Sequence, residues 1–118
     1  MTINAFFHIE WSSTDLERSR RFYDSLFEWT FLPFGDDYLL FEDTEGTSGG
    51  IMRVDEVVVG RSPCVYIEVD DLKETIEKAR ANGGTLADPP REMPSMGRFA
   101  HITDPDGNFV GIYEVSQD

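Results

Sequence analysis

Two polar residues near the N-terminus, His8 and Glu10, are spaced so that a β-strand would present both on one face. The apolar run from Ala5 to Trp11 predicts such a strand, and Phe6 would share their face. An imidazole beside a carboxylate can transfer protons or bind a small molecule, and an imidazole can also ligate a metal. Two alternatives stay open. His8 could be a hydrogen-bonded structural residue of the strand, and Glu10 could be solvent-exposed or paired with an arginine.

A second set of candidate residues alternates in the same way along later predicted strands. These candidate ligand-binding residues are Cys64, Tyr66, Glu68, Arg98, Phe99, His101, Phe109 and Tyr113, together with Phe6. If Ile102 faces the helices, His101 faces the opposite side of the sheet. Aromatic surface with a few convergent polar groups is typical of a small-molecule site. Arg98 ends a predicted loop, Pro94-Ser95-Met96-Gly97-Arg98, and is the best-placed cation for an anionic ligand, although a plain solvated loop needs no such role. The rings would equally serve as core, and Cys64 as a small buried hydrophobe.

The predicted elements that carry these residues occur twice. Asp43-Thr44-Glu45-Gly46 and Asp104-Pro105-Asp106-Gly107 are both turn sequences, 61 positions apart, and each is followed by a Gly-Ile pair. The repeat superposes Gly50 on Gly111 and, in the first strands, His8 on Cys64. It predicts two strand–helix–strand–strand–strand units, the first helix capped by Thr14 with Glu17 completing a capping box.

The 118 residues therefore predict one α+β domain, 1–118, with a first module at about 4–55, a linker at about 56–62 and a second module at about 63–116. Each unit is too small to bury its own sheet face, so the two units are expected to share a core. The whole chain is small enough that pairing with a second copy, as a homodimer, is expected. A net charge of −13 argues against nucleic acid and membrane surfaces as partners. The acidity favours either a solvated surface or adaptation to high salt. The lone Cys64 and the lack of a long apolar run favour the cytoplasm.

Several motifs together resemble the vicinal oxygen chelate superfamily, which includes glyoxalase I, bleomycin-resistance proteins, fosfomycin-resistance enzymes and extradiol dioxygenases. They are His8 seven positions before Asp15, Asp15-Leu16-Glu17-Arg18-Ser19 leading to Phe22-Tyr23, Leu26-Phe27-Glu28-Trp29, Val69-Asp70-Asp71, Asn82-Gly83-Gly84 and Asp104-Pro105-Asp106-Gly107-Asn108. Glu28 departs from the glycine usual in that turn. The resemblance implies two βαβββ modules that form a cupped mixed sheet around a cleft.

The resemblance also implies four metal-ligand positions, which map onto His8, Gly50, Cys64 and Gly111. Two of them are glycines with no side chain to offer, so we expect no metal cofactor, and a divalent ion only if His8 and Cys64 suffice. Glycine would leave open space there, which suits a ligand. The expected function is therefore small-molecule binding with a degraded metal site. The alternatives are a glyoxalase-like lyase, isomerase or dioxygenase that acts on a vicinal-oxygen substrate through His8 and Glu10, and an antibiotic-sequestering resistance protein.

Overall fold

The computed structural model describes residues 3–116 and confirms the α+β class. The elements are, in order, β1 (Phe6–Ser13), α1 (Leu16–Leu26), β2 (Thr30–Pro33), β3 (Tyr38–Glu42), β4 (Ser48–Arg53), β5 (Cys64–Glu68), α2 (Leu72–Ala81), β6 (Thr85–Met93), β7 (Gly97–Thr103) and β8 (Phe109–Val115). The chain forms two compact units. The N-terminal unit runs from His8 to Pro63, and the C-terminal unit combines the described residues up to Phe7 with those from Cys64 onward.

The N-terminal unit contains a mixed sheet with the strand order β2-β3-β4-β1. Neighbouring strands pair antiparallel except β4 and β1, which run parallel. Apolar side chains on one sheet face form the core, where Leu39, Phe41 and Ile51 are buried and Trp11 packs against them. Because side chains alternate across a strand, Tyr38 and Leu40 are left on the other face.

Helix α1 begins one residue later than the capping box predicts. The N-cap is Asp15, whose carboxylate accepts a hydrogen bond from the Arg18 backbone N–H. Thr14 instead accepts a hydrogen bond from the Arg18 guanidinium, so the predicted Thr14 cap is wrong. Both residue types are good caps. Asp15 is the cap because it has extended backbone and directly precedes the first helical residue, Leu16.

The C-terminal unit has the order β5-β8-β7-β6, with β5 and β8 parallel and the other pairs antiparallel. Its core lies between the sheet and α2, where Leu72, Ile76, Ala100 and Ile112 are buried. Ile102 packs against this core, as predicted, so the alternation of β7 directs His101 to the opposite face.

The two turn sequences fold into the same hydrogen-bonded loop. Asp43 Oδ1 accepts the backbone N–H groups of residues 45 and 47, and Asp104 Oδ1 accepts those of residues 106 and 108. Gly46 and Gly107 both have φ of +88°, which a residue with a Cβ adopts only with strain. The sequence repeat is therefore a repeat of local backbone structure. Within residues 3–116, neither helix is long and apolar enough to cross a membrane.

Candidate functional site

His8 and Glu10 are joined in the N-terminal unit by a third residue, Tyr38. The register of β1, β4 and β3 places Glu10 beside Gly50 and Gly50 beside Leu40, with Tyr38 two residues away on the same face. The Tyr38 hydroxyl donates a hydrogen bond of 2.7 Å to Glu10 Oε1 and lies 2.8 Å from His8 Nε2. All three side chains are half-buried, so the strand alternation does bring the predicted pair together.

The direction of these hydrogen bonds assigns the proton on His8. The phenol has one proton, which Glu10 accepts, so His8 Nε2 must carry the proton that it donates to the Tyr38 oxygen. Burial lowers the pKa of His8 from its usual value, because desolvation disfavours the imidazolium. His8 is thus a neutral imidazole at pH 7, linked through a tyrosine to a carboxylate.

The C-terminal unit contains a similar chain built from Tyr66, His101 and Asp88. Tyr66 on β5 and His101 on β7 flank Gly111 of β8 in register, and the Tyr66 hydroxyl lies 2.7 Å from His101 Nε2. His101 Nδ1 lies 3.0 Å from Asp88 Oδ2, an ion-pair distance, although the ring N–H is not aligned well enough for a hydrogen bond. Each unit therefore links a tyrosine, an imidazole and a carboxylate. The tyrosine is the middle member in the N-terminal unit, and the imidazole is the middle member in the C-terminal unit.

Aromatic rings surround this second chain. The Phe109 ring stacks on the His101 ring at a centroid distance of 4.7 Å, and Phe99 makes an edge contact with it at 5.7 Å. Tyr113 lies beside Phe99 in register and is 7% exposed, and its burial raises the pKa of the Tyr113 phenol. The predicted grouping of Tyr66, Phe99, His101, Phe109 and Tyr113 on one sheet face is present in the structure.

The space above both glycines is filled. A Cβ at Gly50 would collide with the Tyr38 ring and hydroxyl, and a Cβ at Gly111 would collide with the Tyr66 ring. Neither glycine has a positive φ, so the close approach of the rings, and not the backbone conformation, is what requires glycine here. The expectation of open space at these positions is therefore wrong, because each glycine accommodates a tyrosine.

Two candidate residues lie away from these chains. Arg98 pairs with Glu114 at 3.3 Å, and the alternation of β7 places it on the face opposite to Phe99 and His101. Its role toward an anionic ligand stays a prediction. Phe6 is 79% exposed, and it is Phe7 that stacks on Tyr113, at 4.7 Å.

Cys64 is buried at 4% exposure, in agreement with a small hydrophobe, and its thiol contacts the Val65 carbonyl at 3.7 Å. Glu68 is half-buried and lies beside Tyr113 in register, on the face that carries Tyr66.

Sequence reasoning missed Tyr38 and Asp88. Tyr38 is the first residue of β3, close in sequence to the glycines of β4. Those glycines could have indicated a bulky neighbour such as Tyr38, since a strand glycine often marks the close approach of another group. Asp88 lies between two register shifts of β6, after Leu86 and before Arg91, and such irregularities redirect side chains in a way that strand alternation does not anticipate.

The residues at the four implied metal-ligand positions do not fit a metal. Gly50 and Gly111 supply no ligand atom and are covered by tyrosine rings. His8 Nε2 is engaged by Tyr38, and Cys64 is buried against its own strand. Across residues 3–116, no three His, Cys, Asp or Glu side chains are grouped as a metal site would require.

Comparison with known proteins gives one consistent family. The model of the glyoxalase/bleomycin resistance protein/dioxygenase superfamily matches residues 5–112. The chain is 37% identical over 78 residues to "Putative glyoxylase CFP32" of Mycobacterium bovis, an alignment of 66% of this chain and 30% of that protein. It is 35% identical to a glyoxylase-like domain-containing protein of Didymella fabae, with 88% of each chain covered.

The chain thus spans about a third of the length of the mycobacterial relative that it matches. Among solved structures, methylmalonyl-CoA epimerase from Mycobacterium tuberculosis has a TM-score of 0.72 at 16% identity, over 98% of this chain and 90% of that one.

Proposed function

Because the chain belongs to the glyoxalase/bleomycin resistance protein/dioxygenase superfamily, we propose that it binds a small organic molecule without a metal ion. The observation that carries this proposal is the pair of tyrosine rings, Tyr38 over Gly50 and Tyr66 over Gly111. Each ring lies where a side chain from the glycine position would stand, and each hydroxyl is hydrogen-bonded to a histidine. The homodimer and the cytoplasmic location expected from the sequence stay predictions.

The chemistry of the polar groups supports binding rather than ion coordination. Half-buried phenol, imidazole and carboxylate groups next to aromatic rings can donate and accept hydrogen bonds while the rings cover apolar ligand surface. A divalent ion, in contrast, needs several carboxylate or imidazole ligands directed at one point. The strand geometry directs these side chains at tyrosine hydroxyls instead.

Metal analysis of the purified protein tests this proposal. After dialysis against a chelator and then against buffer containing Mn²⁺, Ni²⁺ or Zn²⁺, we expect well below one equivalent of each ion. The His8→Gln and Cys64→Ser variants serve as matched controls, since a true site at the implied positions would lose its ion in one of them. One tightly held equivalent that depends on either residue refutes metal-free binding.

A second candidate is a proton-transfer enzyme, an isomerase or lyase, and it is favoured by the link between His8 and Glu10 through Tyr38. A linked imidazole, phenol and carboxylate can deliver a proton to one atom of a substrate and remove it from another. Any turnover found with 2-oxo or vicinal-oxygen compounds should fall by about 10²-fold or more in the His8→Gln/Glu10→Gln double variant. Unchanged turnover in that variant would exclude this candidate.

A further inference from the structure

Helix α1 exposes large apolar side chains. Phe22 is 56% exposed and Leu26 58%, and none of the residues Leu16–Leu26 is fully buried. Phe27, which directly follows the helix, is 45% exposed and stacks on Trp29 at a centroid distance of 5.1 Å. Phe22, Leu26 and Phe27, which we call the α1 apolar patch, expose roughly 300 Å² together. A patch of this size is comparable to the largest on a typical monomer, which is often a functional surface.

The second helix shows which residues these positions carry when they only face solvent. In both helices the N-cap aspartate accepts the backbone N–H three residues further on, so positions counted from the cap correspond. Seven residues after the cap, α1 has Phe22 and α2 has the exposed Lys78. Eleven residues after the cap, α1 has Leu26 and α2 has the exposed Asn82. A helix of this fold therefore forms with polar residues at both positions, and the apolar side chains of α1 need another explanation.

The charges of α1 also run in the opposite order to those of α2. Three arginines and one glutamate give residues 16–21 a net charge of +2, whereas Asp24 and Glu28 give residues 22–28 a net charge of −2. In α2 an acid lies in the first turn and two bases lie in the last, which is the order that the helix dipole favours. The dipole of α1 therefore does not account for its arginine-rich first half.

An antiparallel second copy of α1 accounts for both features. Because a two-fold interface brings one surface against itself, the two α1 apolar patches would cover each other. Residues 16–21 of one protomer would lie against residues 22–28 of its partner, so that opposite charges meet twice. Within residues 3–116, neither Arg21 nor Glu28 makes an ion pair, and both are exposed. Such local complementarity directs the association of chains whose net charge of −13 otherwise repels.

We propose that α1 is the contact surface of a homodimer, in which the α1 apolar patches pack antiparallel and Arg21 of each protomer pairs with Glu28 of its partner. This inference assigns a surface to the homodimer expected from the sequence, and it does not depend on metal-free binding. A standard interface buries about 800 Å² per partner, and only its centre is largely apolar. The α1 apolar patch is large enough for the centre of a modest interface, so the dimer should dissociate reversibly on dilution.

Sedimentation equilibrium over a range of protein concentrations, at one ionic strength, tests the proposal. The wild type should show a monomer–dimer equilibrium. Phe22→Lys and Leu26→Asn introduce the residues that α2 has at the corresponding positions, so both variants should fold, which circular dichroism checks. Each residue occurs twice in a two-fold interface, and either variant should therefore raise the dimer dissociation constant at least about 10-fold.

Leu32→Asn is the matched control for the loss of an exposed apolar side chain. Leu32 is 64% exposed and belongs to the same unit as α1. Its neighbour Phe31 packs against the core beneath α1, so strand alternation places Leu32 on the other face of the sheet. The Leu32→Asn variant should dimerise as the wild type does.

A charge swap tests the antiparallel arrangement. Glu28→Arg places a cation beside the partner's arginines and should raise the dimer dissociation constant about 3-fold to 10-fold. Adding Arg21→Glu to the same chain restores opposite charges across the interface and should return the constant to near the wild-type value.

Four results would overturn the proposal. They are a wild type that stays monomeric at every concentration, a dimer that Phe22→Lys and Leu26→Asn leave unchanged, a dimer that Leu32→Asn weakens equally, and a Glu28→Arg defect that Arg21→Glu does not correct. The metal content of the protein is measured separately, so failure of the dimer and failure of metal-free binding are distinguishable.

Discussion

Replacing Gly50 with alanine tests directly whether the tyrosine ring determines the residue beneath it. Gly50 lies in the middle of β4 with no positive φ, so alanine would ordinarily stabilise this strand by about 0.5–1 kcal/mol. Here the added Cβ collides with the Tyr38 ring and hydroxyl, and the Tyr38 side chain must move. We therefore expect Gly50→Ala to destabilise the protein.

The size of the effect follows from the contacts of Tyr38. Overpacking of this kind costs about 1–3 kcal/mol, and moving the ring breaks hydrogen bonds to His8 and Glu10 worth about 1 kcal/mol each. After the strand preference for alanine is subtracted, the free energy of unfolding should fall by about 2–4 kcal/mol. In a Tyr38→Ala background the obstacle is absent, and Gly50→Ala should then stabilise by about 0.5–1 kcal/mol.

Urea unfolding followed by circular dichroism measures all four members of this double-mutant cycle, with the slope of the transition used to check that it stays two-state. Gly49→Ala is the matched control, since its Cβ would collide with the Ile9 carbonyl as well as the Phe41 ring. It should stay destabilising in both backgrounds. A Gly50→Ala cost that is the same with and without the tyrosine ring would refute the reasoning.

Three further predictions concern the cap, the repeated loop and the buried imidazole. Asp71→Ala removes the acceptor for the Glu74 N–H at the start of α2 and should cost about 1 kcal/mol in urea unfolding, and a serine at the same position should restore most of it. Hydrogen bonds from Asn108 lower the pKa of Asp104 below 3.8, so the stability that this carboxylate provides is present above that pH and is lost as pH falls through the folded-state pKa. Asp104→Asn should accordingly lower the Tm at neutral pH, and an equal loss at strongly acid pH would contradict this. Burial lowers the pKa of His8 below 6.5, so the unfolded chain binds more protons than the folded one just below that pH. Lowering the pH from about 7.5 to about 5.5 should therefore decrease the urea concentration at the unfolding midpoint, and the decrease should be larger for the wild type than for His8→Gln.

The fold was predictable because its signals are local. Strand alternation anticipated that His8 and Glu10 share a face and that Ile102 faces α2 while His101 does not. Turn chemistry anticipated the loops at Asp43 and Asp104, whose hydrogen bonds are confined to a few successive residues. Such features depend on neighbours in the chain, which a sequence displays directly.

The candidate site was less predictable because its contacts join residues far apart in the chain. Nothing near Gly50 shows that the ring of Tyr38 lies over it, and Asp88 reaches His101 only through the irregular pairing of β6. Arg98 was expected at the end of a loop, but it lies in β7, where the strand register places it beside Glu114. Each of these depends on register between strands, which is set by packing of the whole sheet.

The sequence by itself determined the family, the repeat and the absence of a side chain at Gly50 and Gly111. It could not determine why those residues are glycine. Tertiary structure decided that, since only the pairing of β3 with β4 and of β5 with β8 brings Tyr38 and Tyr66 over them. The physical reason is that residue identity is a property of one position, whereas the space around a missing Cβ is shaped by neighbouring strands.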